Sequence, residues 1–184
     1  MQLEETPIKD LVVITPKVFG DERGYFFEAY NKNQYIANGI EIDFVQDNQS
    51  FSYKNVLRGL HFQKPPFAQA KLVRAVAGRV LDVIVDIRKA SPTYGKYLAR
   101  ELSADQNNLL YVPEGFAHGF QTLSDDCELI YHHSEFYKPG VENGIRFDDP
   151  LINIEWPLAP ENISERDKQH SLLDKNFQGL NTSS

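Results

Sequence analysis

The chain has 184 residues, of which 41% are hydrophobic and 24% are charged, and its formal net charge is −7. This composition predicts one soluble domain spanning residues 1–184, and the acidic balance argues against a nucleic-acid binder, which would carry a basic face. Cys127 is the single cysteine, and no apolar stretch is long enough for a bilayer. The first ten residues lack the basic start and apolar core of a signal peptide, so we expect none. We therefore expect a cytoplasmic protein without a membrane partner.

Short β-strands dominate the predicted structure. Segments rich in β-branched and aromatic residues lie at 11–19, 25–30, 71–88, 97–103, 109–115, 127–137 and 151–157. Turn signals separate these segments at short intervals, which is typical of a sandwich, jelly roll or barrel. Two short helices are predicted, one at 31–38 and one starting near Ser164, and the chain end at 178–184 is expected to be frayed.

Two segments offer groups that could bind a nucleotide. Arg23 precedes Phe26 and Glu28; a guanidinium can hold a phosphate through two hydrogen bonds, and an aromatic ring can stack on a base. A surface arginine beside core aromatic residues is the alternative. Further along, Gln46 and Asn48 share one face of an extended segment, because alternate side chains point the same way. A polar edge strand would show the same pattern.

The stretch VLRGLHFQ (56–63) places Arg58 and His61 on an apolar strand. His61 could be a metal ligand, a catalytic base or a core histidine. Gln63, two positions further on, is a poor ligand for a transition metal, and Lys71 at the start of the next strand would repel a cation. These neighbours weigh against a metal, while the choice between a base and a core histidine stays open.

Later segments add an imidazole, two phenols and a carboxylate. His118 is delivered onto a strand by the turn in VPEGFAHGF, in either a functional or a structural role. Tyr131 and Tyr137 would share a face of an unbroken strand, where they could supply a general acid or form a core aromatic pair. Asp167 follows Ser164 at the spacing of a capping box, so its carboxylate could simply cap the short helix.

Two of these segments resemble the two motifs of cupins, which are double-stranded β-helix (jelly-roll) barrels. His61 matches the first histidine of the first motif, but Gln63 stands where the second histidine would be, and Lys71 replaces the metal-binding glutamate. The second motif is retained as PEGFAH, which ends in His118. The resemblance implies an all-β, cupin-type barrel with a few short helices and no metal.

A fuller resemblance covers residues 5–170. The chain resembles the dTDP-4-dehydrorhamnose 3,5-epimerase family in DERGYFFEAY, QDNQSFS, VLRGLHFQ, AKLVRAVAGRVLDVIVDIR, SPTYGKY, VPEGFAHGF, YKPGVENGIRFDDP, IEWP and SERD, in this order. The family implies an isomerase that acts on a dTDP-linked 4-keto-6-deoxy sugar without a cofactor. It also implies a homodimer with an exchanged N-terminal strand.

The resemblance also implies roles for the polar residues. His61 would be the catalytic base, and Asp167 would orient its imidazole. Lys71 would offset the charge of an enolate oxygen, and Tyr131 would return a proton from the opposite face. The substrate contacts would be Arg23 and Arg58 to the pyrophosphate, Phe26 to thymine, Glu28, Gln46 and Asn48 to other groups of the nucleotide, and His118 and Tyr137 to the sugar.

Three other functions fit parts of the sequence. The nearest alternative is an epimerase that inverts only carbon 3 or carbon 5 of a related dTDP-4-keto-6-deoxy sugar. The others are a cupin that binds a nucleotide sugar without catalysis, and a metal-dependent cupin oxygenase or isomerase. The chain departs from the usual family pattern at YHH (131–133) and at FDDP (147–150), which leaves the sugar open.

Overall fold

The fold is built almost entirely of short β-strands. The computed structural model describes residues 1–89, 91–173, 177 and 179–181. Within these ranges the strands are β1 (Gln2–Glu5), β2 (Val12–Thr15), β3 (Phe19–Asp21), β4 (Gly24–Phe26), β5 (Gln46–Ser52), β6 (Val56–Gln63), β7 (Lys71–Ala77), β8 (Arg79–Asp86), β9 (Tyr97–Ser103), β10 (Leu109–Val112), β11 (Phe116–Thr122), β12 (Cys127–His133), β13 (Glu142–Gly144) and β14 (Asn162–Ile163). The helices are α1 (Lys32–Ala37) and α2 (Glu165–Lys168).

Two sheets form the barrel. The first has the strand order β1-β2-β10-β7-β12-β5, and the second has the order β13-β6-β11-β8-β9, with β14 parallel to β6. Strands β3 and β4 form a separate hairpin. Most neighbours in both sheets are distant in sequence, as a jelly roll requires. This arrangement confirms the predicted all-β, cupin-type barrel with few and short helices.

The apolar core has three parts, because several strands are covered on both faces. Between the sheets, Val73 of β7 packs with Ile84 of β8 and Phe120 of β11. The outer face of the second sheet is covered by the C-terminal part of the chain, where Ile152 is buried. The outer face of the first sheet is covered by α1 through Tyr35. Polar side chains that point between the sheets are therefore enclosed.

Strand β8 shows the consequence for charged residues. Asp82 and Asp86 alternate with apolar residues on this strand, and both are fully buried. Asp86 pairs with Arg88 at 2.8 Å, and Asp82 pairs with His118 at 2.7 Å. Each carboxylate thus has a cationic or imidazole partner inside the protein, as buried charges require.

The strand predicted at 151–157 is wrong. This segment runs as turns over the outer face of the second sheet. Asp149 accepts a hydrogen bond from the Leu151 amide at 2.8 Å, and the Trp156 indole donates to the Phe147 carbonyl at 2.9 Å. Apolar side chains of this segment are buried against the outer face of the sheet. The segment therefore has the amino-acid composition of a strand, although it pairs with no strand among the described residues.

Most other predicted strands have different bounds. The segments 11–19 and 109–115 are shorter as strands, at Val12–Thr15 and Leu109–Val112. The segment 71–88 divides into β7 and β8 at Gly78, whose φ of +69° forms the turn. The segment 25–30 keeps its strand only as far as Phe26. The segment 127–137 ends as a strand at His133, so Tyr137 lies in the following loop and not on an unbroken strand with Tyr131.

Both predicted helices are confirmed, and the frayed end is partly wrong. Asn31 caps α1 and Ser164 caps α2. Leu180 is buried, because its side chain packs into the apolar cluster behind the second sheet. Its amide also donates a hydrogen bond to the Ile87 carbonyl at 2.7 Å. Residues 178 and 182–184 lie outside the described ranges. Neither helix of the described chain has the length or the apolar character to span a membrane.

Candidate active site

A polar cavity of about 160 Å³ is lined by strands of both sheets. Seven of the residues predicted from the sequence lie on it: Asn48, Arg58, His61, Lys71, His118, Tyr131 and Tyr137. Its wall is completed by Gln69, Gly119, Phe120, His133 and Glu142. The fold thus brings predicted residues from five strands and one loop to a single cavity.

His61 and Asp167 form a close pair at this cavity. Nε2 of His61 lies 2.7 Å from Oδ1 of Asp167, although the two residues are 106 positions apart. Burial raises the pKa of the Asp167 carboxyl, but the hydrogen bonds from His61 and from the Gly59 amide outweigh burial and hold this pKa well below its usual range. The charged carboxylate favours the tautomer with a proton on Nε2 and a lone pair on Nδ1.

The N-cap of α2 fixes the position of Asp167. Ser164 Oγ accepts a hydrogen bond from the Asp167 amide at 3.1 Å. The carboxylate turns toward β6 instead, where it accepts a hydrogen bond from the Gly59 amide at 3.2 Å. Ser164 therefore caps the helix, while the Asp167 side chain is directed to His61.

Two glycines allow β6 and β11 to approach closely beside this pair. Gly59 has a φ of +122°, and a Cβ atom there would lie 2.5 Å from Cα of Gly119, which no side chain tolerates. The register of β6 and β11 also shifts between His118 and Phe120. His61 and His118 are cross-strand partners next to this shift. The crowded backbone therefore fixes the two imidazoles relative to each other.

Lys71 brings a buried positive charge to the cavity. It is the first residue of β7, and only 9% of its surface is exposed. Burial lowers the pKa of its amine to about 8, while the charges of Glu142 and Asp82 act in the opposite direction. The ammonium therefore keeps most of its charge at neutral pH and lies close to its point of deprotonation.

His118 is oriented by a second buried carboxylate. Its Nε2 lies 2.7 Å from Oδ1 of Asp82, and both side chains are almost fully enclosed. Oδ2 of Asp82 has no hydrogen-bond partner among the described residues. Two of the imidazoles on the cavity, those of His61 and His118, thus each have their own aspartate.

Tyr131 presents a buried phenol from β12. Its hydroxyl lies 2.9 Å from Ser50 Oγ, and its ring centroid lies 6.1 Å from that of His118. Burial raises the pKa of the Tyr131 hydroxyl far above its usual value, so the group stays protonated at neutral pH. Burial also lowers the pKa of the adjacent His133 to about 4, which keeps that imidazole neutral.

A row of hydrogen bonds leads from the cavity along β5 and β6. Arg58 Nε donates to Ser52 Oγ at 3.1 Å, which holds the guanidinium at the cavity. Gln46 lies outside the wall but donates to Asn48 Oδ1 and accepts from the Tyr137 amide, each at 2.9 Å. The predicted amide row is therefore present, and β5 is also the polar edge strand of its sheet.

Arg23, Phe26 and Glu28 lie away from the cavity of their own chain. Arg23 and Phe26 belong to the β3–β4 hairpin, where Arg23 pairs with Asp21 at 2.5 Å and Phe26 is 66% exposed. Glu28 accepts hydrogen bonds from two side chains at the start of α1. Within one chain, these three predicted substrate-binding residues therefore lie apart from the other nine predicted site residues.

The residues at the cupin ligand positions have a donor set that does not suit a transition metal. Gln63 uses its carboxamide to bind the backbone of Phe67, Phe136 and Lys138. Lys71 contributes a cation to the same region. Only the two imidazoles of the motif remain as metal donors, which is fewer than the three protein ligands of a typical catalytic zinc site.

Asp82, Glu142, Arg166 and His170 also lie near the site and were not predicted from the sequence. Asp82 had a signal, since an aspartate inside an apolar strand needs a partner. Arg166 and His170 lie next to Asp167 in sequence, and His170 Nε2 lies 3.4 Å from its Oδ1. Arg166 Nη1 lies 2.6 Å from Glu142 Oε2. These contacts depend on the seating of α2 against β6, which local sequence does not reveal.

Known proteins match this chain along most of its length. The family model described as dTDP-4-dehydrorhamnose 3,5-epimerase matches residues 5–175. The dTDP-4-dehydrorhamnose 3,5-epimerase of Shigella flexneri is 51% identical over 168 residues, which cover 91% of this chain and 93% of the relative.

Solved structures show the same fold. The dTDP-6-deoxy-D-glucose-3,5-epimerase of Legionella pneumophila, solved in complex with dTDP-4-keto-L-rhamnose, is 40% identical with a TM-score of 0.92 and covers 99% of both chains. A 3'-monoepimerase from Streptomyces bikiniensis, in complex with dTDP-quinovose, is 31% identical with a TM-score of 0.85 and covers 91% of this chain and 85% of its own. The chain belongs to the dTDP-4-dehydrorhamnose 3,5-epimerase family of isomerases.

Proposed function

We propose that the protein epimerises carbons 3 and 5 of dTDP-4-dehydro-6-deoxy-D-glucose and so forms dTDP-4-dehydro-L-rhamnose. The contact between His61 and Asp167 carries this proposal. An imidazole held by a carboxylate, on a cavity that also contains a buried ammonium and a buried phenol, supports the assignment of His61 as the base. Membership of the family supplies the class of substrate.

His61 acts as the base. Carbons 3 and 5 both flank the ketone at carbon 4, so their protons are acidic, and removal of either gives an enolate. The proton goes to Nδ1, because Nε2 faces the carboxylate. Asp167 stabilises the imidazolium that forms and holds the ring in the productive tautomer.

Lys71 stabilises the enolate oxygen. Its ammonium is buried at the cavity, where a fixed charge acts more strongly than it would in water. A preorganised donor to a developing oxyanion is typically worth about 3–4 kcal/mol of barrier. The burial that lowers its pKa to about 8 also places its deprotonation within the working range of an enzyme assay.

Tyr131 returns the proton from the face of the sugar opposite His61. The raised pKa of its hydroxyl keeps this group protonated until the carbanion carbon takes the proton. Ser50 holds the phenol in place through the 2.9 Å contact. His118 and Tyr137 line the part of the cavity that receives the sugar.

The nucleotide binds along β5 and β6. Arg58 grips the pyrophosphate, since a guanidinium fork matches phosphate oxygens. Gln46 and Asn48 contact other polar groups of the nucleotide. Neither role requires a cofactor, and the proposed proton transfers use no metal or redox group.

The active form in this proposal is a homodimer with an exchanged N-terminal segment. The β3–β4 hairpin exposes Phe19, Tyr25 and Phe26 by 54%, 64% and 66%. Such an apolar patch on a projecting hairpin is typical of a surface that a partner covers. Arg23, Phe26 and Glu28 would then reach the nucleotide bound by the second subunit, with Phe26 stacked on thymine. We place the dimer in the cytoplasm, where the buried thiol of Cys127 stays reduced.

An epimerase for a single carbon is the second candidate. The likeness to a 3'-monoepimerase at a TM-score of 0.85 supports it. Tyr131 favours the double reaction, since a proton must be delivered from the far face at each inverted carbon. The two candidates differ in which carbons exchange with solvent.

Solvent exchange tests both candidates and the non-catalytic alternative. The protein is incubated with dTDP-4-dehydro-6-deoxy-D-glucose in deuterated water, and the label is located by NMR. We expect deuterium at carbon 3 and at carbon 5. Deuterium at one carbon alone would assign the protein to the single-carbon class. A rate of deuterium incorporation no higher than in a protein-free control would show that the protein binds the sugar nucleotide without catalysis.

The lowered pKa of Lys71 predicts that the enzyme loses activity at alkaline pH. As the pH rises through about 8, the ammonium loses its proton, the enolate oxygen loses its positive partner, and kcat falls. The measurement is the pH profile of kcat for the wild type and for Lys71→Met. The variant should be slower throughout and should lack this alkaline limb. A wild-type profile that stays flat across the alkaline range would contradict the role of Lys71.

A further inference from the structure

A cluster of three potential metal ligands lies on the α2 side of His61. His61, Asp167 and His170 each offer one nitrogen or oxygen atom, and these atoms all lie within 4.8 Å of one another. His170 Nε2 lies 3.4 Å and His61 Nε2 lies 2.7 Å from the same oxygen, Oδ1 of Asp167. This cluster shares only His61 with the cupin ligand positions.

We propose that His61, Asp167 and His170 form a binding site for Zn²⁺ and that the bound ion inhibits the enzyme. Two imidazole nitrogens and one carboxylate oxygen are a common set of ligands for zinc. In a tetrahedral site with bonds of about 2.1 Å, ligand atoms lie about 3.4 Å apart. The distance between His170 and Asp167 already has this value, and the shorter contact at His61 needs only a small outward shift.

His170 is held in place without using its Nε2 atom. The residue packs against Gly144 of β13, where any Cβ atom would collide with the imidazole ring. Its ring stands nearly perpendicular to that of His61, with centroids 5.4 Å apart. Nε2 of His170 is buried and has no hydrogen-bond partner among the described residues. A buried nitrogen that faces a carboxylate and lacks a hydrogen bond is suited to an incoming cation.

The guanidinium of Arg166 lies where the ion would bind. Its Nη2 is 3.1 Å from His61 Nε2, and its Nε is 3.5 Å from Asp167 Oδ1. The side chain is 56% exposed and its Nη1 is paired with Glu142, so it can move outward while keeping that partner. Arg166 therefore competes with the ion, and a neighbouring surface cavity of about 550 Å³ that includes His61 and Asp167 gives the ion access.

The ion would inhibit through the tautomer of His61. A neutral imidazole that binds a metal through Nε2 keeps its single proton on Nδ1. On binding, the Nε2 proton passes to solvent and one proton returns to Nδ1, so the charge of the ring does not change. Nδ1 is then an N–H donor and can no longer take a proton from the sugar.

Direct zinc binding tests the site without reference to catalysis. Competition with a chromophoric chelator measures the affinity and the number of ions bound by the wild type, His170→Ala and His170→Phe, the last of which keeps a ring at this position. We expect one ion per chain at the site. Loss of an outer-shell partner of a metal ligand already costs about 10–100-fold in affinity, and both variants remove a ligand itself, so each should lose at least this much. His132→Ala is the matched control, because His132 pairs with Asp47 at 2.5 Å without belonging to the cluster. Equal affinity in the His170 variants and the wild type would overturn the proposal.

Zinc titration of the epimerase rate tests the inhibition. We expect the wild type and His132→Ala to lose activity as free Zn²⁺ rises and to recover it with chelator. Measured relative to its own zinc-free rate, each His170 variant should resist the ion, while Arg166→Ala should bind it more tightly. Inhibition of the His170 variants at the wild-type concentration would refute the assignment. If the epimerase activity itself were absent, the binding measurement would still decide whether the site exists.

Discussion

Replacing His61 with asparagine should slow deuterium incorporation at both carbons by about 10²–10⁴-fold, the usual contribution of a positioned general base. Asparagine retains a polar group that can contact Asp167, but it has no lone pair basic enough to take a carbon-bound proton. The affinity for dTDP should stay nearly unchanged, because Arg58 and the amide row of β5 are untouched. NMR of the exchange reaction and calorimetric titration with dTDP measure the two quantities.

The matched control is His132→Asn. His132 forms an imidazole–carboxylate pair with Asp47, as His61 does with Asp167, but it does not line the cavity. The control should keep the wild-type exchange rate. Wild-type exchange in His61→Asn would exclude His61 as the base, and a comparable loss in the control would point to a general effect on the fold.

The second large effect is expected for Asp167→Asn, for which kcat should fall by about 10⁴-fold. The carboxamide oxygen can still accept the hydrogen bond from Gly59, which leaves its NH₂ group facing His61 Nε2. Nε2 must then be the acceptor, and the proton moves to Nδ1, where the base is needed. The geometry survives while the tautomer is wrong, so kcat should fall much more than the affinity for dTDP.

A double mutant distinguishes this mechanism from a simple loss of stability. If Asp167 acts only through His61, the combination of His61→Asn with Asp167→Asn should be no slower than His61→Asn alone. Glu165→Gln, on the same short helix, should keep full activity, since Glu165 is 80% exposed and, among the described residues, pairs with Lys168 alone. Additive losses in the double mutant would contradict the proposed dependence of His61 on Asp167.

The fold class and most of the cavity could be predicted from the sequence. Local composition identified the strand at 71–88 that begins with Lys71. The apolar character of 56–63 identified the strand of His61, and the turn in VPEGFAHGF indicated the strand that carries His118. The segment 151–157 shows where this signal fails, because residues that cover the outside of a sheet have the same composition as a strand. The amides of Leu151 and Ile152 donate hydrogen bonds to Asp149, a contact that the pattern of apolar residues does not predict.

Contacts between distant segments could not be derived from local pattern. The capping-box spacing of Ser164 and Asp167 left the carboxylate two possible partners, and only the seating of α2 against β6 decides between them. Asp82 was visible as an anomaly inside β8, but its partner His118 lies on another strand. His170 owes its position to the absence of a side chain at Gly144.

The carboxylate that orients His61 is carried by a helix of only four residues, which cannot be stable in isolation. It stays in place through the Ser164 cap and its contacts with β6. Opening of this short segment separates Asp167 from His61 while both sheets remain folded, and such local opening requires less free energy than global unfolding. Catalytic activity therefore depends on α2 being packed against β6. Mild heat or denaturant should inactivate this enzyme before its barrel unfolds.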